Sequence, residues 1–177
     1  MNVLVKKSID SVVKTLLVAG LLFGCVWILV RIAAWEPEKP ALLSEGTLVL
    51  SAQAAILHGD GIRFETLDGV EDIGWWDFDT QWLSWKIDIK KAGEYRAILR
   101  YSRPGSSNVK LDLAGGGTVL HAVAAGTGGW KQWKSIDLGC IDLSAGKGQT
   151  FTLKAIDPSG KGVINFAGLE LVPVEAP

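Results

Sequence analysis

Carboxylates are the side chains of this sequence whose types and spacing come nearest to a catalytic arrangement. Four of them lie in one short stretch: Glu71, Asp72, Asp77 and Asp79. Two carboxyl groups can hydrolyse a glycosidic bond when one acts as the general acid and the other as nucleophile or base. The stretch also contains two adjacent tryptophans, and a whole glycosidase rarely fits in 177 residues. We therefore interpret it as a solvated loop around the indoles.

The other reactive side chains are isolated. His58 and His121 each stand alone, and Cys140 beside apolar Ile141 is interpreted as a small packed residue. Two cysteines provide neither a disulfide framework nor the paired ligands of a zinc site. The sequence has no nucleophile elbow, phosphate-binding loop or dinucleotide fingerprint. These observations predict a protein that is not an enzyme and has no metal or cofactor. With 18 basic and 19 acidic residues, the chain also lacks the basic excess of a nucleic-acid binder.

An apolar run near the N-terminus predicts a single transmembrane helix over residues 15–35. Residues 15–30 carry no charge, and residues 32–35 extend the run to the ~20 residues that a span needs. Three lysines precede the run, so the positive-inside rule places a tail, residues 1–14, in the cytoplasm. We therefore predict a protein of the inner or plasma membrane. A linker (residues 36–45) and a periplasmic or extracellular domain (residues 46–177) follow the helix.

Two other interpretations of the apolar run stay open. The run could be a cleaved signal peptide, although it is long and residues 31–34 (RIAA) form a poor small-residue cleavage site. It could also be a lipoprotein signal with Cys25 as the modified residue, although the residues after Cys25 are apolar. If the helix is retained, Gly20 and Gly24 form a G-x-x-x-G pattern that permits close packing against a partner helix.

The remainder of the chain has the pattern of an all-β protein. Apolar residues alternate with polar ones over residues 82–89, 94–101, 108–113 and 151–155, and glycine-rich turns separate these runs. No long segment after residue 40 has a helical period. Eight to ten strands at this spacing predict an antiparallel β-sandwich of the jelly-roll type.

Several short motifs of this domain together resemble the family 6 carbohydrate-binding modules, which are jelly rolls. They are residues 50–54 (LSAQA), 73–76 (IGWW), 82–85 (WLSW), 92–95 (AGEY), 127–130 (TGGW) and 165–171 (NFAGLEL). The resemblance implies a glycan site in which Trp75 and Trp130 flank a sugar and Asn165 binds a hydroxyl group. Relatives often hold a structural calcium ion through a glutamate and an aspartate. The corresponding positions here carry Gln53 and Ala167, which implies that this metal site is absent.

Two functions are consistent with the sequence. Because no enzyme accompanies the module, we first interpret the chain as an accessory subunit that docks on a larger membrane assembly, such as a respiratory, photosynthetic or transport complex. The candidate contacts with other membrane protein subunits are Trp76, Arg96, Ile98 and Arg100, since Trp and Arg are enriched at interfaces. The alternative is a membrane-anchored module that binds a glycan at the cell envelope.

Overall fold

The computed structural model describes residues 46–156 and 162–174, which form a sandwich of two antiparallel β-sheets. No helix occurs in these residues. The strands are β1 Leu48–Ser51, β2 Ile56–His58, β3 Arg63–Leu67, β4 Val70–Gly74, β5 Trp82–Ile89, β6 Gly93–Arg103, β7 Val109–Gly115, β8 Thr118–Ala124, β9 Gly129–Leu143, β10 Gly146–Ile156 and β11 Asn165–Pro173. The described part of the chain thus has eleven strands, against the eight to ten predicted.

Both sheets contain strands that are distant in sequence. The first has the order β3-β4-β11-β6-β9, and β1 pairs with β11 beside β4. The second has the order β2-β5-β10-β7-β8. The C-terminal strand β11 is therefore central to the first sheet and places Asn165 next to the β3–β4 hairpin.

The alternation in the sequence correctly identified the buried face of the long strands. Leu83, Trp85, Ile87 and Ile89 of β5 are buried, and the odd-numbered residues of β6 from Tyr95 to Tyr101 are buried as well. The same holds for the predicted inward residues of β7 and β10. Burial of these alternating apolar side chains between the two sheets forms the core and supplies the main driving force for folding.

The β3–β4 hairpin was not predicted, because its alternation does not follow the usual rule. Phe64 of β3 is half exposed, whereas Asp72 of β4 is fully buried. A turn signal was nevertheless present, since Asp68-Gly69 is a favoured two-residue hairpin connection. Asp68 and Gly69 both have positive φ, at 57° and 77°, as such a turn requires.

The predicted anchor lies outside the described residues, and so do Gly20, Gly24 and Cys25. The predicted turn at residues 158–160 also lies outside them. Within residues 46–156 and 162–174, no helix has the length and apolar character to cross a membrane.

Candidate functional site

A pocket of about 400 Å³ opens beside the β3–β4 hairpin. Its volume is in the range of small-molecule sites. Three segments that are distant in sequence form its walls: the hairpin with the loop after β4, the start of β9, and the residues leading into β11. The lining residues are Glu65, Leu67, Trp75, Trp76, Asp77, Trp130, Gly162, Ile164 and Asn165.

Three local features orient the Trp75 indole. Its backbone has φ 59°, an unusual value for a bulky residue, so the chain turns sharply directly after β4. The indole Nε1 donates a hydrogen bond of 2.9 Å to Oε2 of Glu65. The Arg63 guanidinium lies 4.0 Å from the ring centroid in a cation–π contact. The indole is thus held in one orientation while 54% of the residue remains exposed.

Trp130 faces the pocket from the start of β9, and its position depends on a glycine. A Cβ atom at Gly162 would lie 2.8 Å from Cη2 and from Cζ2 of the Trp130 ring, a separation that real side chains do not tolerate. Gly162 also has φ +80°, which favours glycine. The close approach of this backbone to the indole is therefore possible only without a side chain at residue 162.

Asn165 and Glu65 form the polar part of the site. Asn165 begins β11, is almost fully buried, and donates from Nδ2 to Oε1 of Glu65 over 3.0 Å. Gly74 leaves room for this pair, since a Cβ there would collide with the Glu65 carboxylate. One carboxylate therefore holds both an indole and the amide that is central to the pocket.

Asp72, which pairs with Glu65 across the hairpin, is a buried acidic side chain. It has no solvent-exposed surface, and neither of its oxygens has a hydrogen-bond partner. Burial is the main factor that raises the pKa of Asp72 to about 7, and the charge of the neighbouring Glu65 carboxylate raises it further. The nearby Leu67 amide acts in the opposite direction.

Arg103, near the end of β6, holds the segment that carries Gly162. Its Nη1 donates to the carbonyl oxygens of Gly162 (3.0 Å) and Val163 (2.6 Å). Its remaining nitrogens bond Ser107, and burial lowers the pKa of the guanidinium. The same segment is also bound to the loop after β4, since Gly162 N donates a hydrogen bond of 2.7 Å to Oδ1 of Asp77. The segment that packs against the Trp130 indole is thus tied to two different parts of the fold.

The structure brings Trp75, Trp130 and Asn165 together in this one pocket, although they come from three separate segments. Sequence reasoning missed Glu65 and Arg103. Glu65 carried no motif, and the only available signal was its position just before the Asp68-Gly69 turn, which leads into the strand that ends next to the two tryptophans. Arg103 resembled any arginine beside a turn, and only the return of the chain at residues 162–163 shows its role.

Three interpretations from the sequence need correction. Trp76 is fully buried, so it cannot be a contact residue; its carbonyl accepts a hydrogen bond from Val163 N and its side chain packs inward. The acidic stretch is not simply a solvated loop, because Glu71 and Asp72 belong to strand β4 and Asp72 is fully buried. Cys140 is an exposed free thiol, since its side chain points outward from β9.

The other candidate contact residues lie on β6. Arg96 and Arg100 are exposed and Ile98 is partly exposed, because all three side chains point away from the core. Arg96 forms an exposed ion pair of 3.5 Å with Asp137. Their role in a protein interface stays a prediction.

The positions that correspond to the calcium ligands of relatives lie at a separate, shallow depression. Gln53 donates from Nε2 to Oε2 of Glu71 over 2.6 Å, and Ala167 and Arg100 line the same depression. The amide of Gln53 thus engages the neighbouring carboxylate directly. In the part of the chain that the structure describes, no cluster of three or more His, Cys, Asp or Glu residues could hold a metal ion.

Solved structures of carbohydrate-binding modules share this fold. A family 35 module from Clostridium thermocellum is 18% identical, with a TM-score of 0.61, and the match covers 72% of this chain and 98% of that one. The C-terminal family 6 module of LamC, a laminarinase of Zobellia galactanivorans, is 23% identical (TM-score 0.59, 71% and 98% covered). A family 6 module of Cellvibrio mixtus lichenase 5A, solved with cellotriose, is 27% identical (TM-score 0.55, 72% and 97% covered).

A search of curated proteins found no match. The family model described as carbohydrate binding module (family 6) matches residues 61–166, which is more than half of the chain. This match covers all three segments that form the pocket. On these grounds the chain belongs to the family 6 carbohydrate-binding modules.

Proposed function

We propose that this protein is a non-catalytic module that binds a glycan in the pocket between Trp75 and Trp130. The observation that carries the proposal is the convergence of two exposed indoles and one buried amide in a single pocket. These residues come from three distant segments of a family 6 module, and together they supply the groups that a sugar requires.

The chemistry of the pocket suits a pyranose ring. The C–H faces of a sugar pack on flat indoles, as apolar surfaces pack on aromatic rings elsewhere. The Asn165 amide can both donate to and accept from hydroxyl groups, whereas the carboxylates of Glu65 and Asp77 can only accept. Among the residues that the structure describes, the charged groups that line this pocket are the carboxylates of Glu65 and Asp77, which disfavour an acidic sugar. A neutral glycan is therefore the expected ligand.

Isothermal titration calorimetry on the full chain tests the proposal. The detergent must lack a sugar headgroup, since such a headgroup would compete for the site. We suggest cellotriose as the first ligand, because the Cellvibrio mixtus module was solved with it. β-1,3-Galactotriose and panose follow, since both were solved with other structural neighbours. We expect binding of at least one of these sugars.

Trp75→Ala and Trp130→Ala should each weaken that binding at least about tenfold, because each removes one stacking surface. Phe78→Ala is the matched control: Phe78 is 55% exposed, lies in the same loop as Trp75 and does not line the pocket. Equal affinity in all four proteins would contradict this placement of the site.

We also propose that the predicted helix at residues 15–35 attaches the module to a membrane. Only the apolar sequence supports this attachment. Carbonate extraction of membranes tests it: the full chain should remain in the pellet, and a chain that begins at residue 37 should not. The accessory-subunit interpretation gains no support from the pocket, whereas the comparisons favour the glycan-binding alternative.

A further inference from the structure

The β3–β4 hairpin places two carboxyl groups on the same face of one sheet. Glu65 and Asp72 are direct partners in the antiparallel register. The Cβ atoms of such partners lie about 4.5–5.5 Å apart, so their side chains interact. Two like charges at this distance in a site screened from water would repel each other strongly.

Both oxygens of Glu65 are already used as acceptors. Oε2 accepts from the Trp75 indole and Oε1 accepts from the Asn165 amide. Both bonds require Glu65 to present acceptor oxygens, and an ionised carboxylate does this best. Glu65 is therefore best described as the charged member of the pair.

Asp72, in contrast to Glu65, is in surroundings that favour the neutral carboxylic acid. It is fully buried without a partner, and none of the ion pairs among the described residues includes it. An isolated buried carboxylate costs far more free energy than a neutral carboxylic acid. A protonated Asp72 gains an O–H donor, and Glu65 directly opposite is an acceptor.

Among the described residues, the other charged groups near the hairpin have partners of their own, and Glu71 of β4 accepts a hydrogen bond from Gln53. Arg63 of β3 lies over the Trp75 ring, and Asp77 accepts from Gly162 N. At the hairpin turn, Asp68 and Lys131 form an exposed contact of 3.9 Å. Strand β11, on the other side of β4, presents the uncharged Asn165 in this region. Glu65 is thus the charged group that acts on Asp72.

We propose that Asp72 is a positioning residue of the pocket: it shares one proton with Glu65, and this proton keeps the Glu65 carboxylate where it holds Trp75 and Asn165. Loss of the proton would put two negative charges opposite each other. Glu65 would then move away from Asp72 and release the indole and the amide. The effect on glycan affinity rests on the proposed function, whereas the effect on Trp75 does not.

The proposal gives glycan binding a definite pH dependence. The shared proton is present at acidic pH and is lost as the pH rises through the pKa of Asp72, which is about 7. If only the protonated pair binds, affinity falls about tenfold between pH 6 and pH 8, because the competent fraction falls by that factor.

NMR on the full chain tests the proposal without any glycan. In the unsubstituted protein, the carboxyl carbon of Asp72 and the indole N–H of Trp75 should titrate together with a midpoint near 7. Asp72→Asn retains a donor and cannot ionise, so the Trp75 signal should then be independent of pH between 5.5 and 8.5. Asp79→Asn, the same substitution at an exposed site in the neighbouring loop, should titrate like the unsubstituted protein.

Calorimetry with cellotriose, or with whichever of the three sugars binds, gives the second measurement. The unsubstituted protein and Asp79→Asn should lose about tenfold in affinity from pH 6 to pH 8, and Asp72→Asn should not. A carboxyl carbon of Asp72 that titrates near the ordinary value of 3.8 would overturn the proposal. So would a Trp75 titration that persists in Asp72→Asn. If the NMR results hold and no sugar binds, the shared proton is supported and the proposed function is wrong.

Discussion

At the scale of single residues, the pocket depends on contacts that hold its aromatic side chains in one orientation. Glu65 and Arg63 fix the Trp75 indole by a hydrogen bond and a cation–π contact. A ligand then finds the ring already ordered, and less conformational entropy is lost on binding. For Trp130 the constraint is the absence of a side chain at Gly162.

Gly162→Ala should therefore weaken glycan binding by displacing the Trp130 indole. The new Cβ would occupy space 2.8 Å from the ring, and the ring or the segment must shift. Gly117→Ala is the matched control, because Gly117 has nearly the same φ (+82°) with nothing within 4 Å of the added Cβ. Both variants should lose about 1 kcal/mol of stability from backbone strain. Calorimetry and thermal unfolding on both proteins separate the two effects: equal affinities would contradict the role given to Gly162.

At the scale of elements, strand β6 stabilises the pocket through a long-range contact. Arg103 at its end binds the carbonyl oxygens of Gly162 and Val163, which precede β11. A buried guanidinium is stabilised by such carbonyl acceptors. The strand therefore positions one wall of the pocket as well as contributing to the core.

Arg103→Met should destabilise the fold by roughly 3 kcal/mol, because several buried carbonyl oxygens would lose their donor. Glycan affinity should fall as well, since the segment that faces Trp130 is no longer held. Arg100→Met on the same strand removes an exposed arginine and should change stability by less than about 0.5 kcal/mol. Chemical denaturation measures both. A small effect of Arg103→Met would show that this segment is held by Asp77 and the Trp76 carbonyl alone.

At the scale of the whole molecule, the buried Asp72 couples folding to pH. Its pKa is about 7 in the folded protein and 3.8 is the ordinary value. Between these values the folded state retains a proton that the unfolded chain has lost. The stabilisation of the folded state by this proton is fully present below about pH 4, and it is lost as the pH rises to about 7.

The stability difference between the unsubstituted protein and Asp72→Asn should follow this dependence. The ratio of their unfolding constants should change about tenfold per pH unit between pH 4.5 and 6.5, with the unsubstituted protein losing stability as the pH rises. Urea denaturation at three pH values measures this ratio. The comparison cancels the contribution of carboxylates that both proteins share. A ratio independent of pH would mean that Asp72 ionises normally in the folded state.

Much of the fold could be predicted from the sequence, because alternation records which face of a strand is buried. Strands β5, β6, β7 and β10 are long and have one apolar face, so their pattern was sufficient. The β3–β4 hairpin was missed, since its Asp72 is buried and its Phe64 is exposed. Hydrophobic pattern cannot identify a strand whose inward side chains serve a polar site.

The sequence by itself determined the all-β class, the alternating core and, through family motifs, the three candidate residues Trp75, Trp130 and Asn165. Only the tertiary structure decided that these residues share one pocket, that Trp76 is buried, and that Glu65 joins an indole to an amide. The physical reason is distance along the chain. Alternation and turns are local properties, whereas a pocket built from three segments exists only once β11 has paired between β4 and β6.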